Sequence, residues 1–235
     1  MPVQGFTLVE LLVVIAVLAT LIGLLLPALG SARESGRGAV CLANLRGVYL
    51  ICRAYADDNR GLGPAIGQPY AALPNWALVV QTDSGRVGTT SAELYSRASV
   101  LVCPTAAANY AREMTRTYAM NATGHAGLAR PDGSVDPDNF DTLSTPPGAA
   151  AAINFDLIDR PGDRSLLVDS SIDTPATGDA PPPTRTASVL DFRQDWHIAN
   201  RLGRFHPKAT FNFVAFDGSS RRGAAIPALW YEPLP

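Results

Sequence analysis

Glu10 is the lone charged side chain among the first 32 residues. It lies near the start of FTLVELLVVIAVLATLIGLLLPAL, residues 6–29, and no charge follows it until Arg33. An acid placed there has one evident use, which is to meet a cation. Unpaired in the middle of a bilayer it costs roughly 2.5–3.5 kcal/mol on insertion scales; paired, it can fix the register of the element that carries its partner. The other groups capable of chemistry lie further along. His197 follows Asp191 and Asp195, and His206 precedes Asp217. A His/Asp metal pair is one reading of each, and a histidine that fixes a loop through backbone hydrogen bonds is the commoner one. His125 stands apart from both. The stretch Asp132-Gly133-Ser134-Val135-Asp136-Pro137-Asp138-Asn139 sets Asp132, Asp136 and Asp138 at alternating positions, as oxygen-ligand calcium loops do. It lacks the glycine and glutamate of an EF-hand, and an ordinary Asp-rich turn has the same composition. Asn121-Ala122-Thr123 is formally a glycosylation sequon, a pattern short enough to arise by chance. No phosphate-binding loop, dinucleotide fingerprint, nucleophile elbow or H-E-x-x-H is present, so the sequence points away from an enzyme.

Cys41, Cys52 and Cys103 complete the inventory. Cys41 and Cys52 fall three turns apart on one helical stripe and are too distant to bond each other. Either could bond Cys103 if the fold brings it near, or all three could be small buried hydrophobes.

Composition bounds what these residues can serve. Of 235 residues, 47% are hydrophobic and 17% charged, with a net charge of −2. That is too apolar and too neutral for a disordered chain. The 19 Pro, 20 Gly and 40 charges (19 basic plus 21 acidic) leave no room for many membrane spans. A balance of 19 basic to 21 acidic residues carries no nucleic-acid footprint. The chain divides into a hydrophobic segment and a soluble domain of ordinary charge content.

The apolar segment is long enough to cross a bilayer. Three readings fit it. A cleaved secretory signal would use the small residues of Ala28-Leu29-Gly30 and start the mature chain at Ser31, but it has no use for Glu10. A plain anchor explains the length and not the acid. The third reading rests on Gly5-Phe6-Thr7-Leu8-Val9-Glu10, which resembles the signature of type IV prepilins and the pseudopilins of type II secretion. That resemblance implies cleavage between Gly5 and Phe6 by a prepilin peptidase, N-methylation of Phe6, and retention of the helix as a filament core. It implies that Glu10 of one subunit pairs with the Phe6 ammonium of a neighbour. It also matches Pro27 to the proline common in pilin helices, a site of local bending. The leader MPVQG lacks the basic residue usual in the family. Arg33, Arg37 and Arg46 lie beyond the span, so the positive-inside rule alone places the domain in the cytoplasm; the resemblance implies a periplasmic domain.

Past Pro27, Val40, Cys41, Leu45, Val48, Cys52 and Tyr55 recur at helical spacing, and Asp57-Asp58-Asn59-Arg60-Gly61 reads as a helix stop. The expected organisation is a leader at 1–5, a transmembrane or filament-core helix at 6–30, its amphipathic continuation at 31–60, and a soluble domain at 61–235. Apolar runs at Ala77–Val80, Val100–Cys103, Thr117–Met120, Ser165–Val168 and Thr210–Phe216 read as strands. Asp217-Gly218 reads as a hairpin turn into a return strand at Ser219–Gly223. Long Pro/Gly-rich loops occupy 121–152 and 170–187. The expected fold class is α+β and pilin-like, a long helix packed on an antiparallel sheet.

Further pieces resemble a prepilin-like subfamily with a C-terminal H-x9-DG motif. They are Cys41-Leu42-Ala43-Asn44-Leu45, Cys103-Pro104, Tyr118-Ala119-Met120-Asn121, and His206 with Asp217-Gly218, the last spaced by ten intervening residues instead of nine. The resemblance as a whole implies a structural subunit, nearer a secretion pseudopilin than a pilus subunit. Its partners would be itself or related subunits, the prepilin peptidase and methyltransferase, the secretion assembly platform and the membrane. It would sit in the inner membrane before assembly and in a cell-envelope or extracellular filament after it. Calcium is the one cofactor the family suggests. The contrasting reading is a single-pass periplasmic protein with a metal-dependent or binding activity that never polymerises.

Overall fold

The computed structural model describes residues 7–66, 76–83, 85, 99–110, 114–125, 128–129, 135–136, 152–172 and 185–235. The chain divides into two units, Met1–Arg37 and Gly38–Pro235. Helix α1 (Leu8–Asp58) begins in the first and ends in the second, and it contains Pro27.

The first unit is the apolar part of α1. Its described side chains from residue 7 to 33 are all exposed, Leu8 at 79% and Leu24 at 72% among them. Apolar helices in water bury such faces, so this surface is built for another medium or for other helices.

In the second unit α1 buries Gly38, Cys41, Leu45, Val48, Cys52 and Ala56, a stripe stepping by three and four. Two of the expected stripe positions lie off it. Val40 is 47% exposed and Tyr55 is half-buried, because each stands one residue, about 100°, away from a buried neighbour. The helix stops where the sequence predicts. Arg60 and Gly61 take φ of 59° and 82°, and the Gly61 N–H closes on Ala56 O at 2.8 Å. The Asn59 side chain donates to Tyr55 O at 2.7 Å, covering another carbonyl of the last turn.

Then follow α2 (Trp76–Asp83), α3 (Pro104–Tyr110), β1 (Tyr118–Asn121), β2 (Leu128–Ala129), β3 (Val135–Asp136), β4 (Ser165–Asp169), β5 (Val189–Leu190), α4 (Asp195–Arg201), β6 (Phe211–Ala215) and β7 (Ser220–Gly223). Five strands form one sheet in the order β5-β1-β4-β6-β7, and β2 and β3 pair separately. The pairs β1–β4, β4–β6 and β6–β7 are antiparallel, whereas β1–β5 is parallel, so the sheet is mixed and not wholly antiparallel. The α+β, pilin-like class stands.

Two expected strands are something else. Ala77–Val80 lies inside α2, where Trp76, Ala77 and Val80 turn one face inward; a short apolar run does not distinguish strand from helix by itself. Val100–Cys103 is a turn. Val102 N–H bonds Ser99 O at 3.1 Å, and Cys103 N–H bonds the Thr117 hydroxyl at 2.6 Å. Pro104 then opens α3, which leaves no length for a ladder. The three remaining runs fall in β1, β4 and β6, and the hairpin joins β6 to β7.

Strands β1, β4, β5 and β6 are buried on both faces, and the edge strand β7 is not. Tyr118, Met120, Leu167 and Val214 face the cluster that contains Leu45, Val48, Cys52 and Trp76. Ala119, Val168, Phe211, Phe213 and Ala215 face a second cluster closed by Phe192 and Trp230. A register shift between Ser165 and Leu167 puts both Leu166 and Leu167 in the first cluster.

Candidate functional site

Two places on the chain hold polar groups that the fold positions deliberately. One is the start of α1. Thr7 N–H and the Thr7 hydroxyl both donate to Glu10 Oε2, at 2.9 and 2.8 Å, and Glu10 N–H donates to Thr7 Oγ1 at 3.2 Å. This is a reciprocal capping box, and Thr-x-x-Glu is its sequence signal. Glu10 is therefore held within its own chain at the head of an apolar helix. Gly5 and Phe6 lie outside the described residues. Among the described residues α1 is the one helix long and apolar enough to cross a membrane.

The second place is a buried polar cluster where α1 meets the sheet within the second unit. Cys41 on α1 is bonded to Cys103 ahead of α3, across 62 residues of sequence. Beside it His206 and Asp169, both fully buried, stand 3.1 Å apart from Nε2 to Oδ2. Asp169 Oδ2 also accepts Asn212 N–H at 2.6 Å, because β4 and β6 pair at Val168 and Phe213 and bring their next residues together. Asn212 Nδ2 lies 2.8 Å from His206 Nε2, and Arg222 reaches in from β7 to Asn212 Oδ1 at 3.1 Å and to within 3.4 Å of His206 Nδ1. Gly38 of α1 leaves room for that guanidinium; a Cβ there would collide with Arg222 Nη2. Cys103 Sγ is 3.7 Å from His206 Nε2. Burial pushes the Asp169 carboxyl above the ordinary carboxylate range, and the His206 and Asn212 hydrogen bonds offset this in part. Its Oδ1 is buried with no hydrogen-bond partner.

The cluster is assembled from α1, the turn before α3, the end of β4, β6 and β7. Of its members the sequence singles out Cys41, Cys103 and His206. Asp169, Asn212 and Arg222 go unnoticed, since nothing local marks them beyond an acid closing the apolar run Ser165–Asp169. Among the described residues Cys41, Cys103 and His206 are the one group of three potential metal ligands whose donor atoms lie within 4.8 Å of one another.

The other candidates are scattered. His206 meets Asp169 instead of Asp217. Asp217 caps its own turn, accepting Ser219 N–H at 2.8 Å and the Ser219 hydroxyl at 2.6 Å, and the latter holds its carboxyl below the usual range. Gly218 has φ of +83° with the Tyr49 ring against it. His197 Nδ1 accepts the Asp191 N–H at 3.1 Å, a loop-fixing role, and burial lowers the pKa of His125. Asn121 is 1% exposed and its Nδ2 donates to Ser165 O at 2.9 Å, so the sequon nitrogen is occupied inside the sheet. Cys52 is a buried free thiol pushed up to about 12 by burial. Asp132 and Asp138 lie outside the described residues, and the backbone of Asp136 in β3 pairs with that of Leu128 in β2.

Residues 1–26 match the prokaryotic N-terminal methylation motif. No curated protein and no solved structure matches the chain. The motif covers Gly5, Phe6, Thr7 and Glu10 and most of the exposed apolar helix, and with them the chain carries the type IV prepilin-like signature, the mark of pilin-like proteins that prepilin peptidase processes.

Proposed function

We propose that this protein is a structural subunit of a type IV pilin-like filament, nearer a type II secretion pseudopilin than a pilus subunit, and not an enzyme. The observation that carries the reading is the methylation motif leading into an apolar helix whose described surface is wholly exposed. A prepilin peptidase cuts between Gly5 and Phe6, and its methyltransferase activity modifies the new terminus. The helix anchors the chain once in the inner membrane, with residues 38–235 in the periplasm. On assembly the apolar helices bundle, and Glu10 exchanges its Thr7 hydrogen bonds for the Phe6 ammonium of a neighbouring subunit. That exchange offsets the cost of an acid in an apolar bundle and sets the stagger between subunits. The partners are copies of this chain or related subunits, and the assembly platform that extracts them from the membrane.

Mass spectrometry of the native N-terminus tests the proposal. A chain that begins with N-methylated Phe6 supports it; an intact Met1 or a start at Ser31 overturns it. Glu10→Ala should leave Gly5–Phe6 cleavage intact and abolish incorporation into filaments scored by shearing and immunoblot. Unchanged incorporation removes the pairing role.

A further inference from the structure

We propose that Asn44 and Tyr118 choose the partner of Cys103, directing it to Cys41 and away from Cys52 when the disulfide forms. All three cysteines are fully buried in one cluster, and Cys41 and Cys52 share one stripe of α1. Cys41 is bonded to Cys103, and Cys52 is left a thiol. Chain entropy does not make that choice. A Cys52–Cys103 bond closes 103 − 52 = 51 residues against the 62 of the native bond, which favours Cys52 by about 1.3-fold. Helix geometry does not make it either. The two cysteines of α1 are 52 − 41 = 11 residues apart. Sliding the helix by about 16 Å with a turn of about 20° sets Cys52 where Cys41 stands and Ala56 where Leu45 stands.

What distinguishes the two registers is the residue three positions on, because i and i+3 lie on one face of a helix. Past Cys41 it is Asn44, and past Cys52 it is Tyr55. Asn44 Nδ2 donates to Val102 O at 2.9 Å, so the amide grips the residue next to Cys103. The Tyr118 hydroxyl donates to Cys41 O at 3.3 Å and also meets the Asn44 side chain. Thr117, one residue earlier, accepts Cys103 N–H on its hydroxyl at 2.6 Å and donates its own N–H to Leu101 O at 2.9 Å. The start of β1 therefore holds both halves of the disulfide, Cys103 through Thr117 and Cys41 through Tyr118, and Asn44 ties the two halves directly. The pieces Cys41-Leu42-Ala43-Asn44, Cys103 and Tyr118, far apart in sequence, converge on one alignment.

Oxidation runs as two thiol–disulfide exchanges with a donor disulfide. The Cys103 thiolate attacks one donor sulfur, the donor S–S bond breaks, and the first donor thiol leaves. A thiolate of α1 then attacks the Cys103 sulfur of this mixed disulfide, the protein bond forms, and the second donor thiol leaves. The donor is reduced by two electrons, and the two protein thiol protons end on the two donor thiols. Asn44 and Tyr118 act at the second exchange, where they bring Cys41 and not Cys52 to the Cys103 sulfur. They are positioning residues and touch no donor atom.

The test refolds the reduced full chain in detergent with a glutathione redox buffer, quenches with acid and maps disulfide-linked peptides by mass spectrometry. Arg46 lies between Cys41 and Cys52, so trypsin puts them on separate peptides. The wild-type chain should give Cys41–Cys103 as the main bond. Asn44→Ala should raise the ratio of Cys52–Cys103 to Cys41–Cys103 about five-fold, the effect of one ordinary hydrogen bond. Tyr118→Phe, which loses the bond to Cys41 O, should raise it similarly. Trp230→Ala weakens the opposite face of the sheet and should leave the ratio unchanged, so instability alone is not what the ratio reads. Asn44→Ala combined with Cys52→Ser should still form Cys41–Cys103 in full yield, which separates a lost choice from a lost fold. A ratio that Asn44→Ala and Tyr118→Phe both leave at the wild-type value overturns the proposal. An equal rise in Trp230→Ala, or loss of the native bond in the combined variant, overturns it as well.

Discussion

Reduction of the Cys41–Cys103 bond should lower the stability of the second unit by about 4 kcal/mol. The bond closes a loop of 62 residues of sequence separation. In the chain-entropy account a loop of that size removes about 14 cal/mol/K from the unfolded ensemble, or about 4 kcal/mol at 25 °C. Both bonded cysteines are fully buried, and Cys52, the remaining thiol, is not bonded. The assay is urea unfolding of the full chain in detergent, with and without a reductant. Fluorescence of Trp76 and Trp230, which are 0% and 1% exposed, reports the loss of both sheet-face clusters. With a urea slope of about 2 kcal/mol/M, the midpoint should fall by about 2 M on reduction. Cys41→Ser should show the same fall without reductant and no further response to it, while Cys52→Ser should keep the full reductant-sensitive shift. A fall of less than about 0.5 M on reduction refutes the reasoning, because the loop contribution would then be missing.

Other outcomes follow from single positions. Gly218→Ala should cost about 1–3 kcal/mol by denaturant midpoint, since φ of +83° strains any residue with a Cβ and the Tyr49 ring occupies that space; Tyr49→Ala in the same chain should recover only the part due to the collision. Trp230→Ala should cost about 3–5 kcal/mol, because its ring meets Phe192, Phe211 and Phe213 and closes the second cluster. The Asp217 carboxyl is held below its ordinary value by Ser219, so its contribution is present above about pH 4 and is lost as pH falls through the lowered value. Asp217→Asn should therefore lower stability across the neutral region, where the carboxylate contributes, and flatten the acid limb of a stability-against-pH curve; an unchanged acid limb contradicts the assignment.

The parts of the fold legible in the sequence are those set by local pattern. The stripe from Cys41 to Cys52, the stop at Asn59–Gly61 and the β6–β7 hairpin each depend on residues within a few positions of one another, so spacing and turn chemistry suffice. The failures come from context. Ala77–Val80 and Val100–Cys103 have the apolar content of strands, but the first is the inner face of a two-turn helix and the second is a turn pinned by Thr117 and Pro104. Spacing pairs His206 with Asp217, close in sequence. It stands instead at Asp169, because antiparallel pairing of β4 with β6 sets that carboxylate against Asn212 and the histidine beside it. No spacing rule contains that register, and β5, which adds the parallel pairing, is only two residues long.

The capping box decides how a Glu10 variant is to be read under the proposed function. Thr7 and Glu10 exchange three hydrogen bonds at the first turn of a 51-residue helix. Losing a cap costs roughly 0.5–2 kcal/mol and frays the end it serves, whereas the later turns of α1 keep their own backbone bonds and, in a membrane, could not give them up cheaply. Glu10→Ala therefore removes the carboxylate without removing the helix. The processing enzyme meets the chain at Gly5 and Phe6, ahead of the box, so cleavage is insulated from the change more than assembly is. A subunit that is cut, anchored and unable to join a filament isolates the charge itself as the missing element. The same logic explains why the acid is tolerable before assembly: in the single chain the Thr7 backbone and hydroxyl already occupy one carboxylate oxygen, so the ammonium of a neighbour has only to be the better partner.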